Sequence, residues 1–252
     1  MEPYIFIGKI LPERAMLSLS IPSTQINFAD GTSSAEMKVN ILLNQLLVKI
    51  DTDHQWNVND LRNTVRDLVQ SYLSMIGFIA GHAYDLEITR VICDERGIDY
   101  VFGIDIPCLN EISVGKDKAK EMEKLQRCSE GENGKFIRRC LNDLVSAMKN
   151  VEDTGFYCYR AVEALRNHSA SESNLSDQKD ATKWDHFRSV AGVERESIMA
   201  VKAYADPLRH GRPTGITEAE RIIIFQGTWG IVQAYFNALA QAAGAAPRLD
   251  AT

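Results

Sequence analysis

The chain has 252 residues, 45% of them hydrophobic and 25% charged, with a net charge of −6. These proportions exclude a disordered or collagen-like chain and allow one large core or two smaller ones. The charge is uneven: residues 1–113 hold 8 basic against 15 acidic side chains, and residues 114–252 hold 20 against 19, which makes the first part a poor nucleic-acid surface.

In chain order, Tyr4-Ile5-Phe6-Ile7 and the alternating Leu17, Leu19 and Ile21 predict strands, punctuated by Pro12 and Pro22. Asn27 to Ser34 is a turn-rich loop, and the apolar run Val39 to Ile50 reads as strand. An amphipathic helix follows, in which Leu61, Val65, Leu68, Tyr72, Met75 and Ile79 recur at steps of three and four. Asn57 suits its cap, Asp60 its first turn, and Gly77 and Gly81 weaken its end. Leu86 and Ile88 alternate with polar residues in one arm of a hairpin; Asp94 to Gly97 turn it, and Tyr100 to Ile106 return, closed by Pro107. Residues 1–113 are thus expected to form an antiparallel sheet packed on a long helix.

From residue 114 the chain reads as helices. Lys116 to Arg127 is charged and helical, and Ser129 to Gly134 breaks it, so 114–134 is a charged helix and linker. Phe136–Met148, Phe156–Asn167, Lys183–Val190 and Glu194–Ala205 follow as helices, with a polar loop from Ser169 to Asp180. The last helix spans about Glu218 to Ala242, opened by the capping box Thr217-Glu218-Ala219-Glu220. Its buried stripe is Ile222, Phe225, Trp229, Val232, Phe236 and Leu239. Ile223, Ile224, Ile231 and Tyr235 widen the apolar surface, which predicts a central helix in a bundle over residues 135–242 and a homodimer as partner. Residues 243–252 form a small, polar tail. The fold class expected is α+β.

Cys93, Cys108, Cys128, Cys140 and Cys158 make no C-x-x-C pair and read as reduced thiols of a cytoplasmic protein. No signal peptide and no membrane span is expected, the apolar runs being too short. None of His54, His82, His168, His186 and His210 lies four residues from another, and no zinc spacing, phosphate loop or serine elbow occurs, so neither metal nor cofactor is expected. Asp51-Thr52-Asp53 reads as a solvated turn.

The densest chemistry lies in Tyr204 to Arg212 (YADPLRHGR). Pro207 is expected to end one helix and the next begins near Thr217, so Arg209, His210 and Arg212 fall in a short turn suited to meeting a phosphate. Arginine offers a bidentate fork, and histidine a group that titrates near neutrality. Arg209 and His210 are therefore the candidate catalytic residues, with Arg212 and Glu163 in support. An alternative stays open, in which Arg209 ties the turn to Asp206 or Glu163 and His210 caps a helix end. Arg138 and Arg139, beside the basic run Lys116 to Arg127, are candidate nucleic-acid contacts, against the reading of a solvated, charge-paired face.

Residues 135–242 resemble the HEPN superfamily of small helical bundles. The likeness rests on Phe156 to Asn167 (FYCYRAVEALRN), on a helix with Trp184 and Phe187 after a polar insertion, and on a helix ending at an Arg/His turn before the last long helix. The resemblance implies a protein acting on RNA or a nucleotide, as a metal-independent endoribonuclease in bacterial defence or stress response. The superfamily motif places an arginine, usually followed by a polar residue, about four to six positions ahead of a histidine. Here Arg209 and His210 are adjacent, and neither positions 213 to 215 nor 203 to 205 supply the spaced partner. The alternative function is a non-catalytic dimerising or adaptor module that keeps the bundle.

Overall fold

The computed structural model describes residues 3–27, 34–103, 106–212 and 215–245. The fold is α+β, in two compact units that divide between residues 104 and 105.

The first unit is a six-stranded antiparallel sheet and one long helix. Its strands are β1 (Tyr4–Leu11), β2 (Leu19–Asn27), β3 (Ser34–Leu42), β4 (Gln45–Asp51), β5 (Asp85–Cys93) and β6 (Ile98–Val101), in the order β2-β3-β4-β1-β5-β6. Alternation builds the buried face: Tyr4, Phe6 and Ile10 of β1, Met37, Val39 and Ile41 of β3, and Leu46, Val48 and Ile50 of β4. Helix α1 (Val58–Ala80) is capped by Asn57, whose side chain accepts from the amides of Asn59 and Asp60. Its buried line is Leu61, Val65, Val69, Leu73 and Gly77, steps of four throughout. The expected stripe crossed to Met75 and Ile79, but these are exposed, because an i, i+4 row inclines away from them across the helix surface.

Two expectations fail here for identifiable reasons. The run Val39 to Ile50 is two strands, because Leu43 and Asn44 take left-handed conformations (φ 46° and 68°) and reverse the chain. Asn44 is buried and accepts from the Leu17 amide at 2.6 Å while donating to the Glu13 carbonyl at 2.6 Å, which offsets its conformation. The return strand β6 stops at Val101, and Pro107 opens a helix instead of closing a strand, its fixed φ and missing N–H suiting a first helical position. The loop expected over Asn27 to Ser34 lies outside the described residues except at its ends, which belong to β2 and β3.

The second unit contains α2 (Pro107–Ser113), α3 (Lys118–Cys128), α4 (Gly134–Lys149), α5 (Thr154–Glu172), α6 (Asp180–Ala191), α7 (Arg195–Arg209) and α8 (Glu218–Ala245). The expected boundary at residue 113 moves back to 104, since Cys108 of α2 is buried in the helical core. The expected loop from Ser169 begins later, because α5 continues through buried His168, Ser169 and Ala170. Gly155 lets α5 meet α7, since a β-carbon there would stand 2.8 Å from that of Tyr204. The capping box of α8 is formed in both directions: the Glu220 amide donates to the Thr217 hydroxyl, and the Thr217 amide donates to the Glu220 carboxylate at 2.9 Å. Arg221 fixes the start of α8, donating to the carbonyls of Ala147 and Met148 at the end of α4 and to the Thr154 hydroxyl.

Helix α8 packs against α5, α6, α7, α2 and α3. Its two apolar stripes are therefore both used inside the unit. Ile224, Ile231 and Tyr235, expected to face a second copy, are buried, while Ile222 and Ile223 are the exposed pair. Three of the four residues offered for a dimer are thus core residues.

Candidate functional site

Helix α7 does not end at Pro207. It runs on to Arg209, with Pro207 in its last turn, although the proline lacks an N–H for the Ala203 carbonyl and its ring crowds that carbonyl. Gly211 (φ 67°) then turns the chain, with the Arg212 amide donating to the Pro207 carbonyl at 2.9 Å and the Gly211 amide to Leu208 at 3.0 Å. Arg209 is thus the last residue of a helix, and His210, Gly211 and Arg212 form its exposed closing turn.

The Arg209 guanidinium lies 4.0 Å from Glu163, 3.8 Å from Asp206 and 5.6 Å from the centre of the Tyr159 ring, with 40% of the side chain exposed. Both are long for ion pairs, and they aim the group without sealing it. His210 closes α7 through its backbone amide, shared between the carbonyls of Asp206 and Pro207. Its imidazole, like the Arg212 guanidinium, has no hydrogen bond, ion pair or ring contact among the described residues. Both parts of the structural alternative are present: Arg209 is tied to Asp206 and Glu163, and His210 caps the end of α7 through its backbone amide.

The other candidates are structurally engaged. Arg138 donates to the Ser129 carbonyl at 2.5 Å, at the end of α3. Arg139 donates to Asp143 at 3.1 Å, and Arg160 grips the same buried carboxylate through both oxygens, at 2.9 and 2.5 Å. No hydrogen bond or ion pair among the described residues joins Arg138 or Arg139 to the Arg209 cluster. Along α3, Lys120, Lys124 and Arg127 pair with Asp117, Glu121 and Glu123, the arrangement of a solvated helix face.

Beside Arg209, between α5, α6 and α7, lies a cavity of about 420 Å³. Tyr159, Trp184 and Ile198 form its apolar wall, and Arg188, Arg195 and Lys202 its cationic rim. Tyr159 belongs to both places, since Arg209 covers it and Trp184 stacks on it at 6.1 Å. Lys202 is joined to Arg209 through Asp206, which lies 3.6 Å from the ammonium. The sequence signal for this face is the spacing of Arg195, Lys202 and Arg209, each seven residues from the next. It goes unread if α7 is ended at Pro207.

Elsewhere the titratable groups are internal. His168 is buried with Nδ1 2.7 Å from the Tyr235 hydroxyl; burial lowers its pKa and Glu172 raises it in part. Burial pushes the Cys158 thiol up to about 12, and Cys140 upward as well, so neither is a ready nucleophile. Among the described residues no group of three or more His, Cys, Asp or Glu is placed to hold a metal ion. No helix among them is long and apolar enough to cross a membrane.

The fold and this face define a two-unit α+β protein whose helical unit carries a cationic, aromatic cleft. Residues 4–102 match the N-terminal domain, and residues 122–240 the C-terminal domain, of the family described as domain of unknown function DUF8168. The chain carries both domains of that family. No curated protein and no solved structure matches it.

Proposed function

We propose that this chain acts on RNA or a nucleotide through Arg209 and His210, as an HEPN-like, metal-independent endoribonuclease. The observation that carries this reading is a half-exposed guanidinium beside an imidazole with no partner among the described residues, both at the end of α7 and next to a cationic cleft. Cleavage through the RNA's own 2′-hydroxyl needs a group that moves a proton and a cation that meets the phosphate. His210 fills the first role. Arg209 fills the second, Arg212 adds a further cation, and Glu163 is a positioning residue for Arg209. Adjacent residues replace the spaced pair of the superfamily motif: Arg209 is the last residue of α7 and His210 begins the turn that closes it. Five cysteines without a disulfide fit a reducing cytoplasm, and the superfamily likeness suggests bacterial defence or stress response.

Purified protein is expected to cut single-stranded RNA in EDTA. His210→Ala is expected to abolish cutting with Tm unchanged, because the ring makes no hydrogen bond, ion pair or ring contact among the described residues. RNA left intact by the wild type contradicts this reading.

A second reading, a non-catalytic dimerising module, is favoured by Ile223. This residue is 58% exposed and lines a cavity of about 480 Å³ between α7 and α8. Light scattering separates the two: a dimer that Ile223→Glu dissociates, together with no RNA cleavage, supports the module.

A further inference from the structure

The cleft between α5, α6 and α7 has the size and chemistry of a ligand site in its own right. Its volume of about 420 Å³ falls in the range of small-molecule pockets, room for one nucleoside but not for a duplex. The apolar wall is preformed: Tyr159 and Ile198 are buried, and Trp184 is held by Tyr159 and by the Arg166 guanidinium 4.8 Å from its ring. Met199, 44% exposed, adds a polarisable thioether at the cleft.

The rim supplies cations. Arg195 is exposed and has no hydrogen bond, ion pair or ring contact among the described residues. Among the described residues Lys202 pairs with Asp206 alone, at 3.6 Å, a part-exposed pair whose exchange for a phosphate costs little. Arg188 is paired with Asp185, the one acidic residue on the lining. Arg195, Lys202 and Arg209 recur every seven residues along α7, so they share one face and stand about 10 Å apart along the axis. A phosphate chain laid on this face passes from the cleft to Arg209 at the end of α7. The overall charge of −6 opposes a long polyanion and favours a short, single-stranded ligand.

We infer that this cleft seats one nucleotide, its base against the apolar wall and its phosphate on Arg195 and Lys202. The nucleotide is either free or a residue of single-stranded RNA. The RNA case rests on the reading of Arg209 and His210 given above.

The test titrates the full chain with adenosine and uridine monophosphates by calorimetry, and with a short single-stranded oligoribonucleotide in EDTA. Two variants probe the cleft from exposed positions. Ala181→Phe fills it, and Arg195→Ala removes an unpartnered cation. Both should keep the wild-type Tm; should Ala181→Phe lower it, Arg195→Ala alone carries the test. The expected result is monophosphate binding that each variant weakens about tenfold or more. RNA binding weakened by the same two variants identifies an RNA residue as the occupant, and RNA binding unaffected by them identifies the free nucleotide. If the wild type binds neither monophosphate, or the variants bind as well as the wild type, the inference is overturned. Cleavage that needs His210, from a wild type that binds neither monophosphate, overturns it while sparing the Arg209–His210 reading. Monophosphate binding in the cleft without any RNA cleavage does the reverse.

Discussion

The Arg209 guanidinium stands 4.0 Å from Glu163, a side chain of α5, and lies over Tyr159, four residues earlier on that helix. The end of α7 is thus aimed by α5. Glu163→Gln removes the carboxylate while keeping the shape. This exposed pair contributes less than about 1 kcal/mol, so Tm should hardly move. Loss of a negative charge should leave RNA affinity equal or tighter, and loss of aim should lower kcat. Steady-state kinetics check it: a raised KM with kcat unchanged would place Glu163 in substrate binding instead.

Asp143 is 3% exposed and is held by Arg160 and Arg139. Arg160 is in turn stacked near Phe156 and Tyr157, at 4.9 and 4.8 Å. Asp143→Ala leaves the Arg160 cation without its partner and should destabilise the helical unit by about 3 kcal/mol. Urea unfolding followed by helical circular dichroism measures it. A loss below about 1 kcal/mol would mean that Arg160 finds water as readily as it finds Asp143.

The buried His168 sets a pH dependence. Burial lowers its pKa below 6.5, so in the folded unit it stays neutral where the unfolded chain takes up a proton. Stability is therefore unaffected by this group above about 6.5, and falls as pH drops below that value. The carboxylates with lowered pKa, such as Glu220, lose their contribution mainly as the pH falls below their unfolded value of 4.5, so most of the slope between about pH 5.5 and 7 is free of them. His168→Gln should flatten the dependence of Tm on pH in this window. An unchanged slope would show that another group carries it.

Much of the architecture is legible because its signals are local. The Asn57 cap, the Thr217–Glu220 box and the alternation of β1 and β3 each depend on residues within one turn or one strand. What the sequence does not reveal depends on distant partners. Leu43 looks like strand, and only the bonds of Asn44 to Leu17 and Glu13 make a reversal favourable there. The pairing of His168 with Tyr235 joins residues 67 apart. For the candidate site, the residue types were readable and the geometry was not. Ending α7 at Pro207 by the general rule separates Arg209 from Arg195 and Lys202, although all three lie on one helix.

Asn44 offers a test in the sheet unit. Asn44→Ala keeps a left-handed φ without the bonds that offset it, and should cost about 3 kcal/mol. Asn44→Gly restores the conformation but not the bonds, and should recover about 1 kcal/mol of that loss. Hydrogen exchange of the β1 to β4 amides reports both. Equal protection in the wild type and Asn44→Ala would show that the turn, not the side chain, sets the hairpin.

The most direct measurement is mass spectrometry of the ends left on single-stranded RNA after incubation with the protein in EDTA. Attack by the 2′-hydroxyl, with Arg209 on the phosphate and His210 moving the proton, leaves a 2′,3′-cyclic phosphate on one fragment and a free 5′-hydroxyl on the other. The wild type should give these ends, and Arg209→Ala and His210→Ala should give none. Intact RNA with the wild type, or the same ends with His210→Ala, would contradict the assignment.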